Sequence, residues 1–269
     1  MENLYKTRLG RLLIGVLIQR PVSELAGRLL DSRASKLLIK PFVRKNNIDL
    51  RDYRMDGINS FNDFFCRRIK DGLRPVDPDG RVLTSPCDGF LSVYRIKDGT
   101  VLSVKQSRFT IPALLRDRRL AEVYKDGLAL VFRLCVDHYH RYNYFDSGKK
   151  YKNRHIKGVY HTVRPFALEK TPVFVENSRE YAVIDTENFG RCVQMEVGAL
   201  LVGRIVNEDK EACYVKKGAE KGHFEFGGST VIVLVPKNRA LLREDIEKSA
   251  NTNAEIPVIM GECIGKAAK

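Results

Sequence analysis

The sequence predicts an α+β protein with a mostly antiparallel β core, sandwich-like or barrel-like, preceded by basic amphipathic helices. Two observations support this class. From about residue 80 onward, short apolar runs recur between turn glycines, which is typical of antiparallel strands. The first 45 residues instead place leucines at helical spacing with arginines beside them. A chain of 269 residues is long enough to bury a core without disulfides or structural metals.

Residues 1–50 are predicted to form a helical segment that associates with a membrane. A first helical run ends at Pro21, and a second continues until Pro41. Residues 1–45 contain ten Lys and Arg against three acidic residues, a net charge of +7, which is half of the total of +14. Basic amphipathic helices of this kind bind anionic membrane surfaces, and packing on the folded domain is the alternative. Nucleic acid is disfavoured as a partner because the basic residues alternate with aliphatic side chains and aromatics are few.

Residues 51–269 are predicted to form the second domain, which contains the strands. One helix is expected over residues 110–124, and residues 238–269 are expected to form a short helix and a loosely held end. The strand candidates are RVLTSP (81–86), GFLSVYRI (89–96), TVLSV (100–104), LALVFRLCV (128–136), RCVQMEVGALLVGRI (191–205), ACYVKKG (212–218) and STVIVLV (229–235).

Missing motifs disfavour several classes of protein. The six cysteines are scattered singly without a CxxC pair, so they are interpreted as reduced core residues of a cytosolic protein, and no metal site is predicted. No GxSxG surrounds Ser229, and neither a Walker loop nor a GxGxxG motif is present. The apolar run over 12–18 is too short to span a bilayer, and no signal-peptide cleavage site follows it.

Four short motifs carry the side chains suited to catalysis. Serine, histidine and aspartate occur in separate segments, as a nucleophile, a base and an orienting group require, although each motif alone is also compatible with an ordinary turn or strand end. The candidates are Asp88 in SPCDGF, His138, His140 and Arg141 in VDHYHRYNYFDSG, His161 and Arg164 in GVYHTVRPFA, and Ser229 in GGST.

The glycine before Ser229 allows an unusual reaction. Because Gly228 lets the backbone bend, the serine hydroxyl can attack the preceding carbonyl and convert the amide into an ester. β-Elimination then cuts the chain, and hydrolysis of the resulting dehydroalanine leaves an N-terminal pyruvoyl group. This ketone can condense with an amine substrate and act as an electron sink, as pyridoxal phosphate does elsewhere. The alternative is a simple glycine turn that leads into a buried strand.

An ordered series of motifs resembles the phosphatidylserine decarboxylase family. The motifs are SFNDFFCRRIKDGLRPVD, SPCDG, DHYHRY, MEVGALLVGRI and KKGAEKGHFEFGGSTVIVL, and the likeness extends from about residue 57 to 236. The resemblance implies a carboxy-lyase that converts phosphatidylserine into phosphatidylethanolamine and CO₂ through a Schiff base with a pyruvoyl group made from Ser229. It also implies self-cleavage between Gly228 and Ser229, with the chains 1–228 and 229–269 remaining associated.

The resemblance also assigns the catalytic residues. Asp88 corresponds to the aspartate of the charge-relay triad, and Ser229 to the serine that becomes the pyruvoyl group. Many relatives carry Tyr-His-Arg-x-His and use the second histidine as base, but this chain has Asn143 there, and an amide cannot take up the proton. We therefore expect His140 to be the base, with His161 as the alternative.

The expected partners are the phosphatidylserine substrate and an anionic membrane, and the expected location is peripheral, on the cytoplasmic side of the cell membrane. His138, Arg141 and Arg164 are expected to contact the phospholipid headgroup. Three alternatives stay open: a pyruvoyl decarboxylase of a soluble amine or a peptide-borne serine, a non-catalytic basic β-domain that binds membranes, and a Ser/His/Asp hydrolase.

Overall fold

The computed structural model describes residue 25 and residues 27–97, 101–104, 107–158, 176–198, 204–226, 229–252 and 254–268. Strands dominate this part of the chain, and every pairing between them is antiparallel. The predicted α+β class with an antiparallel core is therefore confirmed. In chain order the strands are β1 (Tyr53–Arg54), β2 (Arg68–Ile69), β3 (Val82–Thr84), β4 (Gly89–Arg95), β5 (Val101–Val104), β6 (Ser107–Thr110), β7 (Leu128–Leu134), β8 (Arg141–Asn143), β9 (Gly148–Lys150), β10 (Arg154–Ile156), β11 (Arg179–Thr186), β12 (Gly190–Val197), β13 (Ile205–Asn207), β14 (Cys213–Val215), β15 (Glu220–Phe224), β16 (Ser229–Val235), β17 (Ala240–Leu242), β18 (Ile256–Val258) and β19 (Cys263–Ala267).

A nine-stranded sheet forms the centre of the molecule. Its strands follow the order β14-β9-β11-β12-β16-β7-β4-β18, and β10 pairs with β11 beside this path. Strand β16 lies in the middle, and all seven of its residues are buried. Both faces of this strand are covered, which explains why the run 231–235 is apolar throughout and shows no alternation. The two strands at the ends of the path do not pair with each other, so the described sheet is open.

A three-stranded sheet in the order β13-β15-β8 packs on one face of the large sheet. Tyr142 of β8 and Phe224 of β15 belong to the same buried cluster as Leu134 of β7 and Val231 of β16. Alternation along β7 and β16 puts Leu134 and Val231 on one face of the large sheet. The main core therefore lies between these two sheets.

The C-terminal residues are part of the sheets, so the expectation of a loosely held end was wrong. Strand β18 pairs with β4 at the edge of the large sheet, and β19 lies between β17 and β3 in a second three-stranded sheet. Backbone hydrogen bonds to strands from earlier in the sequence therefore hold β18 and β19 in place. The sequences ALL, IPV and CIGKA are too short to show a strand pattern, so pairing with other strands decides their conformation.

The described helices are short. A 3₁₀ helix over Arg33–Leu38 runs directly into the α-helix Ile39–Asn46, and further α-helices occupy Phe61–Phe65, Ile111–Leu115, Arg118–Glu122 and Glu244–Thr252. The expectation that Pro41 ends a helix was wrong, because it lies in the first turn, where a missing N–H leaves no hydrogen bond unmade. The helix predicted over 110–124 is split at Arg116, whose left-handed φ of 47° ends the first piece.

The helix Ile39–Asn46 packs on aromatic residues of the second predicted domain. Phe42 and Val43 contact a buried cluster that includes Phe61 and Phe64.

Residues 1–24, which carry the first predicted helical run, lie outside the described residues, and the division at residue 50 stays a prediction. None of the described helices is both long and apolar enough to cross a membrane. All six cysteines are free thiols.

A buried ion pair connects the two sheets of the main core. Lys221 of β15 donates to Glu196 of β12 at 2.5 Å and to the side-chain oxygen of Asn207 at 3.1 Å, and neither charged side chain is exposed. Burial raises the pKa of Glu196, and the positive charge of Lys221 offsets part of this effect. Each charge in such a pair depends on the other, since an isolated buried charge is costly.

We predict that Lys221→Met destabilises the protein strongly, because Glu196 would remain buried without its cation. Removing one partner of a buried pair costs about 3–5 kcal/mol. Urea unfolding monitored by circular dichroism measures the change. Lys248→Met is the matched control, because it removes the exposed pair with Glu244 and should leave the unfolding midpoint almost unchanged. Equal midpoints for the two variants would contradict the role of the buried pair.

Candidate active site

Ser229 begins the central strand at one edge of the main core. It pairs with Leu134, the last residue of β7, and its side chain is fully buried. By alternation it faces the same side as Val231, which is the side covered by the three-stranded sheet. The Ser229 hydroxyl has no hydrogen-bond partner among the described residues. A buried hydroxyl without a partner is unusual and needs a functional or structural reason.

The two histidines of the DHYHRY motif lie in the turn that follows β7, next to the position of Ser229. The His138 backbone N–H donates to the Cys135 carbonyl at 3.0 Å, which reverses the chain after the strand. The His138 ring closes the same turn, because its Nδ1 accepts from the Cys135 N–H at 3.1 Å. Strand β8 then begins at Arg141, so both histidines are positioned where the large sheet meets the smaller one.

His140 is fully buried and is held by its neighbours in one orientation. Its ring packs on Phe65 with the centroids 4.0 Å apart, and its Nδ1 lies 2.9 Å from the His138 carbonyl. Since a carbonyl only accepts, the hydrogen-bond network assigns the proton to Nδ1. Nε2 then carries a free lone pair, and it too is buried without a partner among the described residues.

The surroundings of His140 keep its ring neutral. Burial, supported by the positive charge of Arg67, lowers the pKa of His140 to about 3. Around neutral pH the ring is therefore unprotonated, with the lone pair on Nε2 available to accept a proton.

Asp88 forms an ion pair with Arg74, a residue that the sequence motifs do not mark as functional. The Arg74 guanidinium donates to both carboxylate oxygens of Asp88, at 3.0 and 2.8 Å, and the Met260 N–H donates to one of them at 2.8 Å. Arg74 lies in the family-like motif around residues 60–77, but nothing in the sequence pairs it with Asp88. The expected hydrogen bond between Asp88 and His140 is not formed in this structure, and the His138 carbonyl holds His140 instead.

The charge of Asp88 acts on His138 more directly than on His140. Burial lowers the pKa of His138, and the negative charges of Asp137 and Asp88 offset part of that shift. The residue after Asp88 must be small, because a Cβ at Gly89 would lie 2.9 Å from the Arg133 carbonyl oxygen. Glycine therefore lets the Asp88 segment approach the end of β7.

Asn143 lies beside the Asp88 segment. Its N–H donates to the Pro86 carbonyl at 2.8 Å, and its own carbonyl accepts from Gln194 at 3.0 Å. Pro86 lies two residues before Asp88. This backbone hydrogen bond therefore brings the position where many relatives carry a second histidine close to the Asp88 segment. In this chain the position holds an amide, which leaves His140 as the histidine of the motif at the site.

The remaining predicted site residues have mixed outcomes. Arg141 is buried, and it donates to the Cys66 carbonyl at 2.9 Å and pairs with Glu220. Gly228, His161 and Arg164 lie outside the described residues, so their predicted roles stay predictions. The structure therefore brings Ser229, His138 and His140 to one edge of the core and places Asp88 close to His138.

Comparison with known proteins gives consistent matches across the chain. The phosphatidylserine decarboxylase family model matches residues 61–266. The chain is 40% identical to phosphatidylserine decarboxylase proenzyme 2 of Clostridium acetobutylicum, covering 99% of this chain and 91% of the relative. It is 39% identical to the phosphatidylserine decarboxylase proenzyme of Ruminiclostridium cellulolyticum (98% and 90%) and 41% identical to that of Clostridium tetani (91% and 84%).

These matches identify the class of protein as a carboxy-lyase. The relatives that match are named as proenzymes. The chain belongs to the phosphatidylserine decarboxylase family. The resemblance inferred from the ordered motifs is confirmed.

We predict that His140 stays neutral, with its proton on Nδ1, from about pH 8 down to about pH 5, since its pKa is lowered to about 3. Long-range ¹H–¹⁵N NMR of the Ser229→Ala protein, labelled on histidine, distinguishes the two tautomers and the charged ring. A titration midpoint near the ordinary value of about 6.5 would contradict the buried, neutral base.

Proposed function

We propose that this chain is a phosphatidylserine decarboxylase that matures by cutting itself between Gly228 and Ser229. The observation that carries the proposal is the buried Ser229 hydroxyl, without a partner among the described residues, at the start of the central strand. A structural serine in this position would normally donate to a nearby carbonyl. A serine hydroxyl that attacks the preceding carbonyl carbon does not need such a hydrogen bond.

The cleavage proceeds in balanced steps. The Ser229 oxygen attacks the Gly228 carbonyl carbon, the amide C–N bond breaks, and an ester links the two residues. Loss of the serine α-proton then breaks the Cβ–O bond, which leaves a Gly228 carboxylate and a dehydroalanine. Addition of water releases ammonia and leaves a pyruvoyl group at residue 229. One water is consumed and one ammonia is lost in the whole sequence.

His140 is the proposed base for this reaction. Its neutral ring carries a lone pair on Nε2, and its proton on Nδ1 is fixed by the His138 carbonyl. A carbonyl orients the imidazole as a carboxylate would, but it adds no negative charge to stabilise the protonated ring. Asp88 supplies that charge from the neighbouring turn, where it already acts on the pKa of His138.

The mature protein uses the same site for decarboxylation. The pyruvoyl group would supply an electrophilic ketone that withdraws electrons from the bond to the departing carboxylate. Residue 229 fits this group because it is buried on the side of the sheet that faces His140, where water is excluded. After maturation the serine hydroxyl is gone, so Nε2 of His140 is free to take a proton from a water molecule and pass it to the product.

The two chains produced by cleavage are proposed to stay together. Strand β16 pairs with β12 on one side and with β7 on the other, and of these register pairs only that of Ser229 with Leu134 includes a residue of the cut peptide. Strands β18 and β19 add pairings to β4 and β3. The chain 229–269 therefore keeps its place in two sheets after the bond before residue 229 is lost.

The protein is further proposed to bind anionic membranes from the cytoplasmic side of the cell membrane, as a peripheral protein. Four leucines of the helical segment 25–46 are exposed by 49–82%, although the opposite side of this segment packs on Phe61 and Phe64. They are Leu25, Leu29, Leu37 and Leu38. Basic side chains in the same segment supply attraction to an anionic surface, each worth roughly 1 kcal/mol near the membrane.

We predict that the purified protein appears as two chains, 1–228 and 229–269, on a denaturing gel. Ser229→Ala and His140→Ala should each remain one chain, because the first lacks the nucleophile and the second the base. Thr230→Val is the matched control: it removes another buried hydroxyl without a partner from the adjacent position and should cleave normally.

His161→Ala tests the alternative base in the same assay. Normal cleavage of His140→Ala together with an uncleaved His161→Ala would assign the base to His161. Cleavage of Ser229→Ala at the same bond would contradict the proposed reaction altogether.

We predict that the double variant Leu29→Ser/Leu37→Ser binds phosphatidylserine vesicles at least about tenfold more weakly than the unmodified protein, because each buried leucine contributes on the order of 1.5–3 kcal/mol. Vesicle sedimentation measures the bound fraction, and added salt should weaken binding further. Leu241→Ser, which changes an exposed leucine outside the segment, is the control. Equal binding of the double variant and the control would show that the leucines do not insert.

A further inference from the structure

A cavity of about 550 Å³ lies between the helical segment and the residues that lead into Ser229. It is lined by groups of both charges and opens to solvent. Four arginines line the cavity. Carboxylates of the same region are ion-pair partners for most of them. The arginines are Arg54, Arg67, Arg68 and Arg141.

Arg67 differs from the other three arginines in its environment. It is only 2% exposed, and its guanidinium lies over the rings of Tyr53 and Phe64, 4.1 and 4.8 Å from their centroids. One of its nitrogens donates to the Phe64 carbonyl at 3.3 Å. The other two, Nε and one terminal NH₂, are buried without a partner among the described residues.

Each of the three neighbouring arginines has a carboxylate partner. Arg54 pairs with Asp71, and both Arg68 and Arg141 pair with Glu220. No carboxylate of the described residues lies within ion-pair distance of Arg67. A buried guanidinium without an anion is costly, so its retention at this place needs an explanation. Two free N–H groups on one planar fork match two oxygens of a phosphate or a carboxylate.

The cavity adjoins the catalytic edge of the core. Cys66, which lines it, contacts the Phe224 carbonyl through its thiol at 3.5 Å, and Glu225 also lines it, four residues before Ser229. Phe65, next to Cys66 in sequence, is the ring on which His140 packs. The charge of Arg67 also reaches His140, where it helps to lower the pKa of the imidazole.

The cavity also adjoins the proposed membrane-binding segment. Asp31 lines it and accepts a hydrogen bond from Asn62 at 2.7 Å, which ties the segment to the helix Phe61–Phe65. Leu29 is two residues away from Asp31 and is exposed. A lipid with its acyl chains beside Leu29 would therefore have its polar group next to the cavity.

We propose that Arg67 binds the phosphodiester group of the phospholipid substrate in this cavity. This inference rests on the proposed function, because it names the part of the substrate that the cavity recognises. Binding would give the two free N–H groups of Arg67 their missing acceptors and would hold the serine part of the headgroup toward Ser229. Arg67 is thus a binding residue that sets specificity for a phosphate-linked serine.

The test is a calorimetric titration of the Ser229→Ala chain, which neither cleaves nor turns over, with glycerophosphoserine. Arg67→Gln in this background should weaken binding by at least about tenfold. Arg81→Gln is the matched control, because it removes one positive charge from an exposed side chain outside the cavity and should leave the dissociation constant unchanged. Equal affinities of a folded Arg67→Gln and the control would overturn the proposal.

Two further ligands identify what the site recognises. Inorganic phosphate should bind more weakly than glycerophosphoserine, and O-methyl-L-serine, which lacks the phosphate, should bind weakly and with no dependence on Arg67. Phosphate binding as tight as that of glycerophosphoserine would overturn the assignment to a lipid headgroup. Loss of O-methyl-L-serine binding in Arg67→Gln would assign Arg67 to the carboxylate instead and would likewise overturn it.

Additional variants protect the test against a folding defect. Arg67→Lys keeps the charge but loses the planar fork, so it should fold and still bind glycerophosphoserine several-fold more weakly. Affinity of Arg67→Lys equal to that of the parent chain would count against recognition by the fork. The proposed function fails separately, if the unmodified chain stays uncleaved on a gel, whatever the titration shows.

Discussion

The β13-β15-β8 sheet packs on the central strands of the large sheet, and this contact determines both the core and the candidate site. It creates the main core and carries the turn with His138 and His140 to the edge where Ser229 begins β16. The buried pair of Lys221 and Glu196 lies in the same contact and connects the two sheets through charge as well as apolar area. A shift of one sheet on the other would therefore disturb fold and site together.

Burial gives the candidate nucleophile and base their chemical character. The Ser229 hydroxyl and His140 Nε2 are both removed from water and have no partner among the described residues, whereas most buried polar groups are paired. The low pKa of His140 means that its neutral form needs no proton loss before it acts. The fold accepts the cost of leaving both of these groups unpaired, which is typical of sites that need them for chemistry.

Local sequence was sufficient for some of these features and insufficient for others. The apolar runs of β7 and β16 predict buried strands because covered faces require apolar residues throughout, and glycine before Ser229 indicates the reaction at that residue. Strand β8 and the C-terminal strands β17, β18 and β19 have only three to five residues each, so only pairing with distant strands identifies them. The pairing of Arg74 with Asp88 and the two unpartnered nitrogens of Arg67 depend on tertiary packing, and no local pattern signals them.

Ser229 is proposed to become a pyruvoyl group at the head of a strand that stays in the sheet. The intact mass of the small chain, isolated after the purified protein is denatured, tests this proposal. We expect the chain of residues 229–269 to be lighter by one ammonia than the same chain with an N-terminal serine, and its N-terminal ketone to react with a carbonyl reagent. A small chain with an unmodified N-terminal serine, or a single uncut chain of 269 residues, would contradict it.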